Sequence, residues 1–129
     1  MSRNTILLAD DDANQRRLQT RILNKDFPEL KVEEFKDGTS LVSRLKGDVS
    51  PVVLVITDDD MPGFSGGRII YEYSKRPGLE KIPFILYYGG GKEIGENAVI
   101  NGAFGYLTKP VNLSKYIDLV GRAISFSRS

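Results

Sequence analysis

Five short runs of branched and aromatic apolar residues divide this chain, and segments with helical spacing lie between them. The runs are TILLA (5–9), KVEEF (31–35), VVLVIT (52–57), PFILYY (83–88) and FGYLT (104–108). Runs of this length and composition predict β-strands. The first and third are almost continuously apolar, which is typical of strands covered on both faces, whereas KVEEF is half polar and predicts an edge strand.

Each strand is followed by a segment whose apolar residues recur at helical spacing. The recurring residues are Leu18, Ile22 and Leu23; Leu41, Val42 and Leu45; Ile69, Ile70 and Tyr73; Ile94, Ala98 and Val99; and Leu113, Ile117, Val120 and Ile124. Asp12 and Gln15 are spaced as a capping box before the first helix, and Asn112 is placed to cap the fifth. Five strand and helix units predict an α/β fold, a doubly wound parallel sheet with helices on both faces.

The composition limits the chemistry that the chain can use. Its 129 residues fit one domain, so a single domain over residues 1–129 is expected. Cysteine and histidine are absent from the sequence, which excludes thiol nucleophiles, Ser-His catalysis and imidazole-bound zinc within the chain. The 18 basic and 17 acidic residues nearly balance, so direct binding to nucleic acid is not expected. The apolar runs are too short to cross a membrane, and a soluble, cytoplasmic protein is predicted.

Carboxylates cluster where the first and third strands are predicted to end, in ADDD (9–12) and TDDD (57–60). In the five-stranded order 2-1-3-4-5 these strands are neighbours, and ligands bind outside the carboxyl ends where the strand order reverses. The clustered charges repel one another, and Mg²⁺, which prefers oxygen ligands, is a natural compensation. Lys109, at the end of the fifth strand, can supply a second positive charge. These groups together suit phosphoryl chemistry, which depends mainly on positioning and charge neutralisation.

Three sequence blocks, ILLADDD, VITDDDMPGFSGG and GAFGYLTKP, jointly resemble the signatures of response-regulator receiver domains (CheY-like) of two-component signalling. The resemblance covers nearly the whole chain and implies a flavodoxin-like (βα)5 fold. In this family, an aspartate three residues before a Met-Pro pair accepts a phosphoryl group from a phosphohistidine. Counting back from Met61 identifies Asp58 as that phosphoacceptor.

The resemblance implies further roles at matching positions. Asp11 corresponds to a direct magnesium ligand, and Asp10 to a neighbour that acts through water. Asp60 corresponds to a position that binds the metal through its backbone carbonyl, so the expected metal site comprises Asp10, Asp11, Asp58 and Asp60. Lys109 corresponds to the lysine that contacts the phosphoryl oxygens, which makes Asp58 and Lys109 the expected catalytic pair.

The remaining acidic residues of the two clusters have simpler interpretations. Asp12 is expected to be only the cap of the first helix. Asp59 falls at a variable position of the family and is expected to be a solvated loop residue.

The resemblance also assigns a role to one glycine. Gly66 corresponds to the glycine that begins the helix after the third strand.

The end of the fourth strand departs from the family. Receivers usually have a serine or threonine there, whose hydroxyl bonds the phosphoryl group, but the sequence reads YYGGG. The family's spacing from Asp58 puts the switch position at Tyr88, whereas the spacing back from Lys109 puts it at Tyr87; we take Tyr88 as the switch residue. We expect its bulky ring to overshoot a phosphoryl oxygen, or to be simply a partly buried aromatic at a strand end. The second switch residue, an aromatic on the fifth strand, is present as Tyr106. The phosphoryl chemistry is therefore expected to be intact and its coupling to the rest of the domain altered or weak.

These observations predict a receiver that takes a phosphoryl group from a histidine kinase or phosphotransfer protein, with Mg²⁺, and signals to an unidentified output protein. Such a domain catalyses its own phosphorylation and dephosphorylation but is a signalling protein. The alternative is a receiver-fold binding module that works without phosphorylation. A phosphatase with an aspartyl nucleophile would resemble D-x-D-x-T on the first strand, and ADDDANQ does not contain that threonine. Whether the chain stands alone or belongs to a longer regulator is left open.

Overall fold

A computed structural model describes residues 3–129, in which strands and helices alternate as predicted. The elements are β1 (Thr5–Ala9), α1 (Ala13–Asp26), β2 (Lys31–Phe35), α2 (Gly38–Leu45), β3 (Val52–Thr57), α3 (Gly66–Tyr73), β4 (Phe84–Tyr88), α4 (Lys92–Ile100), β5 (Gly105–Thr108) and α5 (Leu113–Arg128). The first three strands have the predicted bounds, whereas β4 and β5 each begin one residue later. The first two residues of the predicted domain lie outside the described range.

All the strand pairs are parallel, and the order across the sheet is β2-β1-β3-β4-β5. The predicted doubly wound (βα)5 fold is thus confirmed, with the half-polar KVEEF strand at one edge. Ala9 at the end of β1 pairs with Thr57 at the end of β3. The residues that follow these two strands therefore leave the sheet side by side.

Two apolar layers cover the sheet, and the alternation of side chains along each strand assigns residues to them. One layer packs the strands against α2, α3 and α4, and includes Tyr88. The other packs them against α1 and α5, and includes Tyr87. Adjacent tyrosines at the end of β4 therefore enter opposite layers, and both are buried.

The first helix has its predicted cap, but the capping box is incomplete and two apolar helical positions are exposed. Asp12 caps α1, accepting hydrogen bonds from the backbone N–H groups of Asn14 and Gln15. The return bond of the predicted capping box does not form, because the Asp12 N–H donates to Asp10 Oδ1 instead. Val99 and Leu113, which the helical pattern placed on apolar faces, are exposed.

Across residues 3–129, none of the helices combines the length and the apolar character that a membrane crossing requires.

Candidate functional site

The ends of β1 and β3 bring three carboxylates together at one edge of the sheet. The Asp58 N–H donates to the Ala9 carbonyl at 2.9 Å, which continues the β1–β3 pairing by one residue. Oxygens of Asp10, Asp11 and Asp58 lie within 4.8 Å of one another. Asp10 is fully buried and Asp58 is nearly so, whereas Asp11 is exposed. The predicted meeting of the two acidic clusters is therefore seen in the fold.

Lys109 reaches this group from the far side of the crevice. Its backbone N–H donates to the Tyr88 carbonyl at 2.7 Å, which fixes the end of β5 beside β4. Its Nζ lies 3.0 Å from Asp10 Oδ2 and 3.3 Å from Asp58 Oδ2. One ammonium thus bridges two carboxylates, and the negative charge of the group exceeds the positive charge among these side chains.

The pKa of the Asp58 carboxyl group reflects both its burial and the surrounding charges. Burial, and after it the neighbouring Asp10 carboxylate, raises the pKa of Asp58, which stands at about 6 instead of 3.8 once all its neighbours are included. Lys109 and the Asp59 N–H, which donates to Asp58 Oδ1 at 2.8 Å, act against this rise without cancelling it. Burial alone would lower the pKa of Lys109, but its bonds to Asp10 and Asp58 outweigh burial and raise it.

The donor set suits a hard divalent cation. The ligand atoms are all carboxylate oxygens, and Mg²⁺ is bound in proteins through one or two carboxylates together with several waters. Asp11 is the exposed member, so it faces the solvent from which an ion and its waters would come. Each bound positive charge would also relieve the repulsion that raises the pKa of Asp58.

The other two acidic residues after β3 have different surroundings. Asp59 is half-buried, and its Oδ1 accepts a hydrogen bond from the Gly67 N–H at 2.9 Å, in the first turn of α3. The expectation that Asp59 is only a solvated loop residue was wrong. The loop after β3 packs against the start of α3, where a backbone N–H group donates to the Asp59 carboxylate. Asp60 is exposed, and its carboxylate lies outside the group of three. Its expected contribution through a backbone carbonyl stays a prediction.

Gly66 begins α3, as the sequence indicated, and the reason is steric. A Cβ at this position would collide with the Asp58 carbonyl. Glycine therefore allows the start of α3 to pack directly against the residue that carries the central carboxylate.

Tyr88, the predicted switch residue, does not turn toward the carboxylates. Its ring lies in the layer under α4, where it is 1% exposed and therefore not the partly buried aromatic that we expected. Its hydroxyl donates to the Gly91 carbonyl at 3.0 Å and accepts from the Gly95 N–H at 3.0 Å. Those two backbone groups are four residues apart, so the hydroxyl is inserted into the first helical turn of α4.

Tyr106, the second predicted switch residue, packs against the same structure. Its ring centroid lies 6.1 Å from that of Tyr88, with the ring planes tilted by 46°. A Cβ at Gly95 would collide with the Tyr106 ring, so the glycine permits close contact between α4 and β5. Tyr88, Gly95 and Tyr106 form one contact group, which we call the α4 latch.

Sequence reasoning missed two polar residues that adjoin the site. Gln19 on α1 donates through Nε2 to Asp10 Oδ2 at 3.4 Å, and its Oε1 accepts from the Tyr116 hydroxyl of α5 at 2.8 Å. Gln19 is spaced three and four residues before Ile22 and Leu23, on the buried face of its helix. A polar amide on an apolar helical face was the available signal.

The sequence profile of the response regulator receiver domain matches residues 6–121. The chain belongs to the response-regulator receiver family. Phosphorylation of an aspartate and binding of Mg²⁺ are general features of these domains. Receiver domains also interact with histidine kinases or phosphotransfer proteins and with output domains.

Curated response regulators match over much of the chain. Response regulator protein PilR of Pseudomonas aeruginosa is 29% identical over 125 residues, which are 96% of this chain and 27% of that protein. Stress response regulator protein 1 of Meyerozyma guilliermondii is 32% identical over 85 residues, 66% of this chain and 38% of that protein. This receiver therefore spans less than two fifths of the length of either relative.

Solved structures match the whole fold. A response regulator receiver domain protein from Clostridium thermocellum has a TM-score of 0.83 and 27% identity, covering 95% of this chain and 94% of that one. A CheY-like receiver domain protein from Methanospirillum hungatei has a TM-score of 0.82 at 20% identity, covering 96% and 95%. The second likeness concerns the fold alone.

Proposed function

We propose that residues 1–129 form a single receiver domain that accepts a phosphoryl group on Asp58 from a phosphohistidine of a histidine kinase or phosphotransfer protein. The observation that carries this proposal is the bridging of Asp58 and Asp10 by Lys109 within a group of three carboxylates. A buried carboxylate with a raised pKa in such a crevice is typical of a functional group. The phosphorylated domain would signal to an output protein through its surface.

In the proposed reaction, an Asp58 oxygen attacks the phosphorus of the donor. An O–P bond forms while the bond between phosphorus and the donor's imidazole nitrogen breaks, and the electron pair of that bond stays on the nitrogen. Asp58 reacts as the carboxylate, so the reaction requires a pH above its pKa. Lys109 already holds its Nζ 3.3 Å from Asp58 Oδ2, where it can neutralise charge on the incoming phosphoryl oxygens.

A Mg²⁺ ion held by Asp11 and Asp58, with Asp10 acting through water, would neutralise the charge that develops on the phosphoryl oxygens. The Asp60 backbone carbonyl would complete the protein's contribution. Asp59 is left out of this set, because its carboxylate lies outside the group of three and its Oδ1 accepts a hydrogen bond from the Gly67 N–H.

The test is phosphorylation by a small phosphodonor such as acetyl phosphate or phosphoramidate, followed by intact mass spectrometry. In Mg²⁺, the wild type should gain one phosphoryl group, and Asp58→Asn should gain none. Asp60→Asn removes the same charge from the same loop and should remain phosphorylated. Failure of the wild type under conditions that phosphorylate a known receiver would contradict the proposal.

A second candidate function, a receiver-fold binding module independent of phosphorylation, is favoured by the geometry of Tyr88. Its hydroxyl is already bonded to Gly91 and Gly95, so it has no remaining proton to donate to a phosphoryl oxygen. A ligand shifts a conformational equilibrium only through a difference in its interactions with the two states. The α4 latch would therefore hold α4 and Tyr106 in one arrangement whether or not Asp58 carries a phosphoryl group.

Beryllofluoride, which mimics a phosphoryl group on aspartate, separates the two candidates. Amide NMR spectra with Mg²⁺ and beryllofluoride should show large shifts around Asp58 under either function. Large shifts that extend through α4 to Tyr106 would support phosphorylation-dependent signalling through this face. Shifts confined to the Asp58 neighbourhood would support the binding module.

A further inference from the structure

The layer between the sheet and the helices α1 and α5 contains a polar chain that the phosphoryl chemistry does not by itself require. The layer is otherwise built mainly from apolar residues of β1, β3, β4, α1 and α5. Within it, Gln19 is 1% exposed and Tyr116 is not exposed at all. Buried polar groups weaken a fold unless they are hydrogen-bonded, so their partners are informative.

The chain ends on the Asp10 carboxylate. The Tyr116 hydroxyl donates to Gln19 Oε1 at 2.8 Å, and Gln19 Nε2 donates to Asp10 Oδ2 at 3.4 Å. A side-chain amide is suited to the middle position, because its oxygen accepts from a hydroxyl while its nitrogen donates to a carboxylate. The hydrogen-bonded route from Tyr116 to Asp10 therefore passes through the amide of Gln19.

The Asp10 carboxylate has two other hydrogen-bond donors, and Gln19 is the third. Its Oδ1 accepts from the Asp12 N–H at 3.0 Å, and its Oδ2 accepts from Lys109 Nζ at 3.0 Å. Gln19 reaches Oδ2 from α1 and is itself buried, so it gives the buried carboxylate a partner inside the core. The same oxygen therefore receives one charged and one neutral donor, which fixes the rotation of the carboxylate.

We propose that Gln19 and Tyr116 are positioning residues that orient the Asp10 carboxylate and thereby strengthen cation binding at the site. This inference rests on the proposed function, in which Asp10 belongs to the magnesium site. Removing a group that orients a metal ligand through a hydrogen bond typically lowers metal affinity by about 10- to 100-fold. Because the Gln19 bond to Asp10 is long, the expected effect is at the lower end of that range.

The same layer supplies a matched control for Tyr116, namely Tyr87. The rings of Tyr87 and Tyr116 meet edge to face, with centroids 5.7 Å apart. The Tyr87 hydroxyl is buried too, but it has no hydrogen-bond partner among the residues that the structure describes. Tyr87→Phe and Tyr116→Phe thus each delete one buried oxygen from the same layer, and only the second breaks the chain to Asp10.

The experiment is a magnesium titration of the full chain without a phosphodonor, with the dissociation constant read from amide NMR shifts of the Asp10 and Asp58 loops. Tyr116→Phe and Gln19→Met should each weaken Mg²⁺ binding by about tenfold, and Tyr87→Phe should leave it unchanged. In the Gln19→Met background, Tyr116→Phe should have no further effect, because the two residues act in series. The same spectra verify that each variant is folded, since only folded protein gives the dispersed native peaks that are titrated.

The outcomes separate this inference from the function beneath it. Failure of the wild type to bind Mg²⁺ would contradict the proposed function as well. Normal Mg²⁺ binding by wild type and Tyr116→Phe alike would overturn only the positioning role. Equal weakening in Tyr87→Phe and Tyr116→Phe, or additive effects in the double variant, would also overturn it, because these results indicate general disturbance of the layer. Should Tyr116→Phe not fold, Gln19→Met alone against Tyr87→Phe still decides the question.

Discussion

Replacing Asp58 with asparagine should stabilise the fold when no divalent cation is present. In the folded protein, Asp58 is buried beside Asp10, and this environment raises the pKa of Asp58 from 3.8 to about 6. At about 1.4 kcal/mol per pKa unit, that shift corresponds to about 3 kcal/mol for ionising Asp58 in the folded state. The crevice is open to solvent at Asp11, and screening by that solvent reduces the figure, so we expect about 1–2 kcal/mol.

The sign of the pH dependence follows from the direction of the shift. Because the folded state binds the Asp58 proton more tightly than the unfolded state, this group favours folding at low pH. Its contribution is lost as the pH rises from about 4 through the folded pKa of about 6. Asparagine does not titrate, so the advantage of Asp58→Asn should be absent below pH 4 and complete above pH 7.

The assay is urea unfolding of wild type and Asp58→Asn in EDTA over this pH range. Asp60→Asn is the control, since it removes an equal charge from an exposed position, and it should change the free energy of unfolding by less than about 0.5 kcal/mol. Added Mg²⁺ should narrow the gap by binding folded wild type preferentially. An Asp58→Asn variant no more stable than Asp60→Asn at high pH would refute the electrostatic reasoning.

Three further predictions concern the α4 latch and the acceptor carboxylate. Tyr88→Phe removes the hydroxyl from the first turn of α4 and should lower the free energy of unfolding by about 1 kcal/mol. Hydrogen exchange at the Gly95 amide should become faster, and unchanged exchange there would contradict the observed bonds. Gly95→Ala should destabilise the protein by about 1–3 kcal/mol, because its methyl group collides with the Tyr106 ring. Gly121→Ala in α5 is its control and should instead stabilise by about 0.5–1 kcal/mol, since open space surrounds that position; a reversed order in thermal unfolding would refute the steric argument. At low Mg²⁺, phosphorylation by a small donor should slow about tenfold per pH unit below the Asp58 pKa of about 6, and a flat rate between pH 7 and pH 5 would contradict the raised pKa.

The alternation of strands and helices in a parallel sheet could be predicted because its signals are local and repeated. Apolar runs of strand length, separated by helical periodicity, leave few parallel arrangements. The half-polar KVEEF run indicated an edge position, and β2 lies there. The meeting of Asp10 with Asp58 followed from strand order alone, because neighbouring parallel strands end at the same edge.

What sequence reasoning missed depends on which way individual side chains turn. Strand alternation gives the face that Tyr88 occupies, but its bonds to Gly91 and Gly95 depend on how close α4 comes to β4. Asp59 looked like a loop carboxylate, because its partner Gly67 lies eight residues away across a turn. The pairing of Gln19 with Tyr116 joins two helices that are distant in sequence, and helical periodicity carries no information on such contacts.

The most direct test of the central claim is to locate the phosphoryl group within the three consecutive aspartates that follow β3. The protein is phosphorylated by a small donor in Mg²⁺, the acyl phosphate is reduced with borohydride to leave homoserine, and peptides spanning residues 57–63 are sequenced by mass spectrometry. Our account predicts homoserine at position 58 alone, and only in samples that contained Mg²⁺. Homoserine at position 59 or 60, or equal labelling with Mg²⁺ and with EDTA, would contradict it.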